Sequence, residues 1–393
     1  MKTLIELYDR RPLENVLATE MFRPQRTVYL CPGSVAEDKA LQKKLREFFS
    51  ARGVDSELIF IQTSLLDASS VAEKLRQVVS SYPDCAVDIA GGSEAALFAA
   101  GALCAEKDVP VFTYSRRKNR FFNIQNAPFA SGLPCEIKYS VEDCFRMAGG
   151  SMHTGRVDNR ILSRYEASYE PFFRLFLRYR RQWTDIINWF QRVSPGAEGS
   201  TPSLKVKTAY TVKGERGTRL SANESALRDL EEMGFLKKLD ILSGESVSFC
   251  FADGQIRNWL RDVGSVLELY IYQSCRDSGL FDDVLTSAVV DWDGVDDADS
   301  VVNELDVMAT RGVVPVFISC KTCNVKTEAL NELAILRDRF GGQIARAAIV
   351  TAESIRAVTR HRAEELDIAV IDLNDLKKGS VQERLRSLMS LHT

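Results

Sequence analysis

The sequence predicts an α/β protein in two parts, and three observations carry that expectation. The first third alternates short apolar runs with helical periods, the pattern of a parallel, doubly wound sheet. The last third runs helix, strand, hairpin of two strands, helix, strand. Between them, an aromatic and arginine-rich stretch leads into SPGAEGSTPS (194–203), the most linker-like segment of the chain. At 393 residues the chain is long for one average domain, and two to three are expected.

Composition narrows the function. A 45% hydrophobic content is ample for real cores, and no run approaches the ~18 apolar residues a membrane span needs. The start, MKTLIELYDRRPLENVL, carries acids early and no apolar core after its basic residue, so it does not read as a signal peptide, and a cytoplasmic protein is expected. The nine cysteines form no framework, and Cys85, Cys250 and Cys320 lie inside apolar runs, as reduced thiols do. Cys320-Lys-Thr-Cys323 is a lone CxxC without a second pair, poor grounds for zinc or redox chemistry. His153, His361 and His392 are the only histidines, and none sits in HExxH or beside a nucleophile. No GxxxxGK[ST] is present. With a net charge of −3, a nucleic acid would have to meet a local basic patch.

Taken in order, residues 3–7 are an apolar strand ending at Tyr8-Asp9-Arg10-Arg11-Pro12, and 12–22 read as a helix. TVYLC (27–31) is a second strand, closed by Pro32-Gly33-Ser34. A helix over 35–52 follows, with Leu41, Leu45, Phe48 and Phe49 at helical spacing. ELIFIQ (57–62) is a third strand and 69–81 a helix. A fourth strand, 86–90, runs through Gly91-Gly92-Ser93-Glu94 into an alanine-rich helix over 95–106, and 109–114 is a fifth strand. Ligands of such sheets sit beyond the carboxyl ends of the strands. Those ends are Asp9-Arg10, Gly33-Ser34, Thr63-Ser64, Gly91-Gly92-Ser93 and Ser115-Arg116-Arg117. Gly91-Gly92-Ser93 opening a helix could offer N–H groups and a hydroxyl to a phosphate or ribose. A tight turn with close helix packing explains the same residues without a ligand. The rim as a whole, glycine-rich and with three arginines, favours an anion.

Residues 121–150 read as irregular and 164–193 as helical. Within FFRLFLRYRRQW, Phe172, Phe173, Phe176 and Leu177 form a packing stripe, with Arg174, Arg178, Arg180 and Arg181 as its solvated side rather than a nucleic-acid face. A helix over 221–233 opens on the S-x-x-E capping box of Ser221 and Glu224 and stops at Gly234. A hairpin of 238–242 and 246–251 follows around Ser243-Gly244. A helix and a short hairpin resemble a winged helix, read here as a connector.

In the last third, 254–275 read as one long helix with Leu260, Val263, Leu267, Tyr270 and Ile271 on one side. Glu268 lies among them, either a salt-bridged surface glutamate or a carboxylate aimed at the hairpin. A strand over 288–292 precedes the acidic loop DGVDDADS (293–300), which lacks the glycine and terminal glutamate of an EF-hand and reads as solvated. The segment NELDVMATRGVVPVFISCK (303–321) is the focus. Alternation over 301–308 puts Glu304 and Asp306 on one side of a strand. Thr310-Arg311-Gly312 turns the chain, and 313–320 is a second strand with Ser319 and Lys321 on one face at its end. Folded back, this hairpin gathers two carboxylates, a hydroxyl and an ammonium. Carboxylates bind a hard divalent cation, and a nearby lysine stabilises a phosphorane. Phosphodiester hydrolysis suits that set. A helix over 326–340, a strand over 344–351, and helix, strand and helix over 352–366, 368–373 and 381–391 complete the restriction-endonuclease-like order.

The hairpin resembles the PD-(D/E)xK nuclease motif, with Asp306 as its middle acid and Ser319-Cys320-Lys321 in place of (D/E)xK. Glu268, in G-S-V-L-E, matches the acid often carried on the preceding helix. The first half, through IELYDRRPLENVL and DIAGGSEAAL, resembles a CRISPR-associated Rossmann fold (CARF) sensor domain. Together they resemble the type III CRISPR ancillary nucleases switched on by cyclic oligoadenylate, cyclic tetra-adenylate in particular. The resemblance implies a CARF domain over 1–150, a helical, winged-helix-like connector over 151–252 and a nuclease domain over 253–393. It implies a homodimer binding the ring near Asp9, Arg10, Arg11, Gly33, Ser34, Thr63, Gly91, Gly92, Ser93 and Arg116. It also implies Mg²⁺ or Mn²⁺ held by Glu268, Glu304 and Asp306, with Lys321 stabilising developing charge on a DNA or RNA substrate.

Two residues depart from the pattern. Ser319 stands where an acid is expected, and Glu304 is placed to replace it. The threonine-glycine-glycine-threonine-lysine form common in such sensors reads Ala90-Gly91-Gly92-Ser93-Glu94 and loses a cation. The competing expectation is a ligand-responsive DNA-binding regulator with a decayed nuclease domain. The 221–233 helix argues against it, offering only Arg228 among Glu224, Asp229, Glu231 and Glu232.

Overall fold

The computed structural model describes residues 1–154, 159–195, 202–214, 217–291 and 302–390. The acidic loop 293–300, the linker-like residues 196–201 and the last residue of the expected final helix lie outside them.

Among the described residues, six strands build the first sheet: β1 (Thr3–Leu7), β2 (Arg26–Cys31), β3 (Glu57–Gln62), β4 (Cys85–Asp88), β5 (Val111–Ser115) and β6 (Arg120–Gln125). Their spatial order is β3-β2-β1-β4-β5-β6, all parallel except β6, which folds back on β5. This is a Rossmann-like sheet whose winding reverses between β1 and β4. A crevice opens at such a switch point beyond the carboxyl ends. The helices on its faces start on side-chain caps: Asp38 accepts from Leu41 N, Asp67 from Ser69 N and Ser93 from Ala96 N.

Three expectations in this half change. The 12–22 helix is a 3-10 turn, Pro12–Asn15, followed by a helix, Leu17–Phe22. Asn15 Nδ2 donates to the carbonyls of Asp9 and Arg11, which holds the chain in the tighter turn. The 35–52 helix divides into Gly33–Ala36 and Lys39–Ala51, because the Asp38 carboxylate starts a new N-terminus. Residues 121–150 are not irregular. They hold most of β6, a 3-10 turn and the helix Val141–Met147, which opens on a capping box of Ser140 and Asp143.

β7 (Ser151–Thr154) leaves the first half and joins the edge of the second sheet. The helices Glu166–Tyr179 and Trp183–Val193 follow, joined by the 3-10 turn Arg180–Gln182. The packing stripe is as expected, with Phe172, Phe173 and Phe176 buried and Arg174 paired with Glu170 and Arg178 with Asp229 at the surface, but Arg180, expected solvated, is half-buried and pairs with Glu353. The connector adds β8 (Lys205–Ala209), β9 (Thr211–Lys213), β10 (Arg219–Ser221), β11 (Leu236–Leu242) and β12 (Ser246–Phe251). β9 pairs with β10, and β11-β12-β8 form a small sheet. Ser221 is not the cap of the next helix, Glu224–Glu232. Asn223 is, its Oδ1 accepting from Ala226 N at 3.0 Å, because Ser221 is held in β10.

The expected 254–275 helix breaks into Gly254–Trp259 and Ser265–Asp277. Asp262 causes the break: its Oδ2 accepts from Gly264 N, Ser265 N and Ser265 Oγ. Then come β13 (Asp283–Asp291), β14 (Val302–Arg311), β15 (Val314–Lys321), β16 (Arg346–Thr351) and β17 (Ile368–Ile371), in the order β17-β16-β15-β14-β13-β7. β13, β14 and β15 form an antiparallel meander, and β15, β16 and β17 run parallel, as the restriction-endonuclease-like order requires.

Alternation sorts this sheet onto two cores. Val316, Ile318, Ala348 and Val350 face the helices of the connector and Ser265–Asp277. Phe317, Ala347 and Ile349 face the other way, into a cluster continuous with Phe48, Tyr139 and Phe145 of the first half. Phe145 meets Phe340 edge-on at 4.8 Å. The two halves share packed hydrophobic surface rather than hanging on a linker.

Candidate functional site

β14 pairs with β15 through Val307 and Ile318, which sets Asp306 across from Ser319. Asp306 Oδ2 then collects three donors: Ser319 Oγ at 3.0 Å, Cys320 N at 2.6 Å and Lys321 Nζ at 3.3 Å. Burial works against the Lys321 ammonium, but the charge and hydrogen bond of Asp306 outweigh it and hold its pKa above the ordinary value. Lys321 is a firm cation here.

Glu268 looks onto the same place from the helix Ser265–Asp277. Burial pushes its carboxyl well above the usual range, and the charges of Asp306, Asp262 and Glu304 push it further, against Lys321. It is therefore the aimed carboxylate of the two readings. A Cβ on Gly264 would lie 2.5 Å from Glu268 Oε1, so a side chain there would push the carboxylate from its present position. Glu304, more exposed, accepts a 2.8 Å hydrogen bond from Ser287 Oγ. Ser287 is buried in β13 with φ +51°, a left-handed setting that costs a non-glycine residue about 1–3 kcal/mol. Thr286 Oγ1 donates to the Asp306 carbonyl at 2.7 Å and steadies the strand.

Two contributors were absent from the sequence reading. Asp262 had a legible signal, an aspartate two residues before the Gly264 N-cap whose carboxylate can take up the free N–H groups of a helix start. A left-handed serine inside a strand leaves none. Cys320 is buried, its thiol raised well above the usual range by burial, Asp306 and Glu268, while Cys323 is exposed and neither is disulfide-bonded. That is no redox pair.

The donors at this site are all hard oxygens, the chemistry of Mg²⁺ or Mn²⁺. Among the described residues, no three carboxylate, histidine or cysteine side chains group closely enough to hold a metal ion, so the expected set of Glu268, Glu304 and Asp306 is not assembled as a three-acid site. Mg²⁺ seldom uses one. It keeps waters and binds through one or two carboxylates plus substrate phosphate.

The rim residues divide between two places. At the switch point, Arg11 Nε and NH2 donate to the two Asp9 oxygens at 2.8 and 2.7 Å. Gly92 N donates to Asp9 Oδ2 at 3.0 Å. Burial would raise the Asp9 carboxyl, but these donors and Arg11 N hold it below the ordinary value. Arg116 donates to Glu14, a buried residue inside LYDRRPLENVL that the sequence reading left unassigned. Gly92 has φ +99°, and a Cβ there would come within 2.8 Å of Leu7 Cβ. Close packing thus accounts for this glycine, while its amide still faces the crevice acid. Beneath, Glu6 and Asp88 stand side by side on β1 and β4, both buried. Burial, helped by Glu14, pushes Asp88 up to about 7.

Gly33 and Thr63 line a separate hollow of about 600 Å³ beyond β2 and β3, together with Lys74, a cation the sequence reading missed on its helix. Ser34 and Arg10 are exposed on the rim. Ser93 is engaged, capping the helix Glu94–Lys107 and donating to the Leu65 carbonyl. A cleft of about 1070 Å³ between the halves is lined by Arg116, Arg117, Lys138, Arg311 and Arg346 and by Glu136 and Asp282, with Lys138 paired to Asp282 at 2.6 Å, so it carries more cations than acids.

Residues 258–391 match the family model of the Card1-like endonuclease domain. No curated protein sequence matches the chain. The fold is shared end to end with protein VC1899 from Vibrio cholerae, at 17% identity and a TM-score of 0.73 over 98% of this chain and 97% of that one. It is equally shared with Can2 from Sulfobacillus thermosulfidooxidans, solved in complex with cyclic tetra-adenylate, at 16% identity and a TM-score of 0.70 over 99% of each chain. The resemblance drawn from the hairpin thus meets a Card1-like endonuclease domain, on the two-part fold that the sequence predicted.

Proposed function

We propose that this protein is a nuclease of type III CRISPR defence, switched on by cyclic oligoadenylate, with cyclic tetra-adenylate the expected activator. Asp306 and Lys321, 3.3 Å apart at the end of a hairpin inside the endonuclease-matching segment, are the observation that carries the reading. A decayed nuclease would have no use for a buried, charge-repelled Glu268 facing them.

Asp306 and Glu268 are the residues that would hold Mg²⁺ or Mn²⁺, with waters and substrate phosphate completing the shell. The ion, when bound, lowers the pKa of a water and neutralises the scissile phosphate. Lys321 supplies positive charge to the phosphorane as it forms, while Ser319 and the Cys320 amide fix the Asp306 carboxylate in place. Ser287 does the same for Glu304. Ser319 itself contributes a hydroxyl, not the expected acid.

The activator reading rests on the switch-point crevice, with Arg11, Arg116 and the Gly92 amide around it, and on the fold shared with a protein that binds cyclic tetra-adenylate. A ring of near-twofold symmetry suits an isologous dimer. Leu66 and Phe98, 86% and 74% exposed, lie on neighbouring segments that Ser93 ties together, apolar surface of the kind a dimer would cover. The match to an endonuclease domain supports a nucleic-acid substrate, DNA, RNA or both.

The test is direct. Labelled DNA and RNA are incubated with the protein and Mg²⁺ or Mn²⁺, with and without cyclic tetra-adenylate or cyclic hexa-adenylate. Ligand-dependent cleavage is expected, reduced about 10²–10³-fold or more in D306A and K321A, the loss typical of a missing transition-state charge partner. Wild-type rates in either variant would refute the site. No cleavage under any combination would refute the nuclease.

A further inference from the structure

Two arginines and one backbone amide at the switch point face carboxylates of the chain itself. Arg11 and the Gly92 amide hold Asp9. Arg116 holds Glu14, whose Oε1 also lies 3.9 Å from Arg11 Nε. The two acids differ in setting. Asp9 is stabilised as an anion, whereas Glu14 is buried, and burial raises its carboxyl despite both arginines. Glu14 is therefore the weaker-held anion, occupying the position a phosphate would take between two guanidiniums. Arg–phosphate pairing is bidentate and strong, so an incoming phosphate competes well for them.

Glu14 also sits on a mechanical part. The turn Pro12–Asn15 packs its other side on Val313, Pro315 and Phe340, leaving a gap of about 10 Å³. A Cβ on Gly342 would lie 3.5 Å from Arg11 Cγ. Pro315 lies in β15, the strand that ends at Lys321. One short turn thus touches the anion crevice on one side and the start of a catalytic strand on the other.

We propose that Glu14 is a built-in competitor for the anionic ligand, and that it restrains the nuclease until displaced. Resting on the sensor reading above, the inference adds that a ligand phosphate takes Arg116 and Arg11 from Glu14. The freed turn then shifts against Val313 and Pro315, and the catalytic hairpin follows. Glu14 is a residue that sets affinity and coupling, with no part in the chemistry. The ligand can shift the equilibrium only by the difference in its affinity for the two states.

The experiment measures cyclic tetra-adenylate affinity by calorimetry and ligand-free cleavage in Mn²⁺, for full-length wild type, E14Q, E14D and R116Q. E14Q is expected to bind about 5- to 150-fold tighter, the range of ordinary coupling between sites, and to cut without ligand above the wild-type background. E14D, with its carboxylate drawn back from Arg116, should move in the same direction by less, and it decides the matter should E14Q not fold. R116Q should lose binding. A merely structural Glu14 would instead weaken binding in step with a fall in Tm. Equal or weaker affinity in the folded Glu14 variants overturns the proposal while leaving the sensor reading intact. Wild type that binds no cyclic tetra-adenylate overturns both.

Discussion

Glu268→Gln should abolish cleavage and make the protein more stable. The carboxyl of Glu268 is raised well above the ordinary range by burial and by the negative charges of Asp306, Asp262 and Glu304. A raised carboxyl binds its proton more tightly in the folded protein than in the unfolded chain. Its contribution to stability is therefore present below the ordinary carboxylate pKa of about 4.3 and is lost as the pH rises toward the folded value. At pH 7.5, well above the ordinary carboxylate pKa, some of that contribution is gone. Each unit of upward shift is worth about 1.4 kcal/mol, and each kcal/mol moves Tm by about 2–4 °C in a domain of 150–250 residues. Glutamine keeps the size and drops the charge. In EDTA at pH 7.5, E268Q should melt at least about 2 °C above wild type, and the gain should shrink toward zero by pH 4. Divalent cation reverses the order: ligand at a hundred times its Kd adds about 2.7 kcal/mol, and wild type should gain this with Mn²⁺ while E268Q gains little. Differential scanning fluorimetry reads all four conditions. A lower Tm for E268Q in EDTA at pH 7.5 would refute the reasoning, because that is what removing a salt-bridged structural glutamate does.

Three further outcomes follow from the same geometry. S319D replaces the hydroxyl that donates to Asp306 Oδ2 with a fourth carboxylate. It should cost roughly 1–3 kcal/mol in urea unfolding without metal and bind Mn²⁺ more tightly by calorimetry. R52A removes the guanidinium that joins Glu20, Asp143 and the Lys138 carbonyl, leaving Glu20 buried without its partner. About 3–5 kcal/mol of stability should be lost, measured by the same unfolding. D88N should raise Tm more at pH 8.5 than at pH 5, since the carboxyl pushed up to about 7 withdraws stability as pH climbs through that value; a gain independent of pH would point to packing instead.

Much of the candidate site could be read from the chain because it is local. Strand alternation alone put Glu304 beside Asp306 and Ser319 beside Lys321, and a short turn at Gly312 brought the pairs together. Glu268 was harder. Its helix was read as continuous from 254 to 275, and the carboxylate cap of Asp262 that resets the helix was overlooked. The same local logic failed at Ser221, where a good capping box lost to a strand pairing with Thr211. Tertiary partners outbid a local motif there.

The two-part α/β architecture, the hairpin and its acids, and the glycine- and arginine-bearing rim were legible in the chain, because periodicity and turn chemistry act between residues close along it. Only the tertiary structure decided what those residues face. The burial that raises Glu268, the left-handed Ser287 that steadies Glu304, and the pairing of Glu14 with Arg116 all join segments far apart in sequence. So does β7, which carries the first half of the chain onto the edge of the second sheet. Charge repulsion and desolvation depend on distance in space, and no pattern along the chain records that distance.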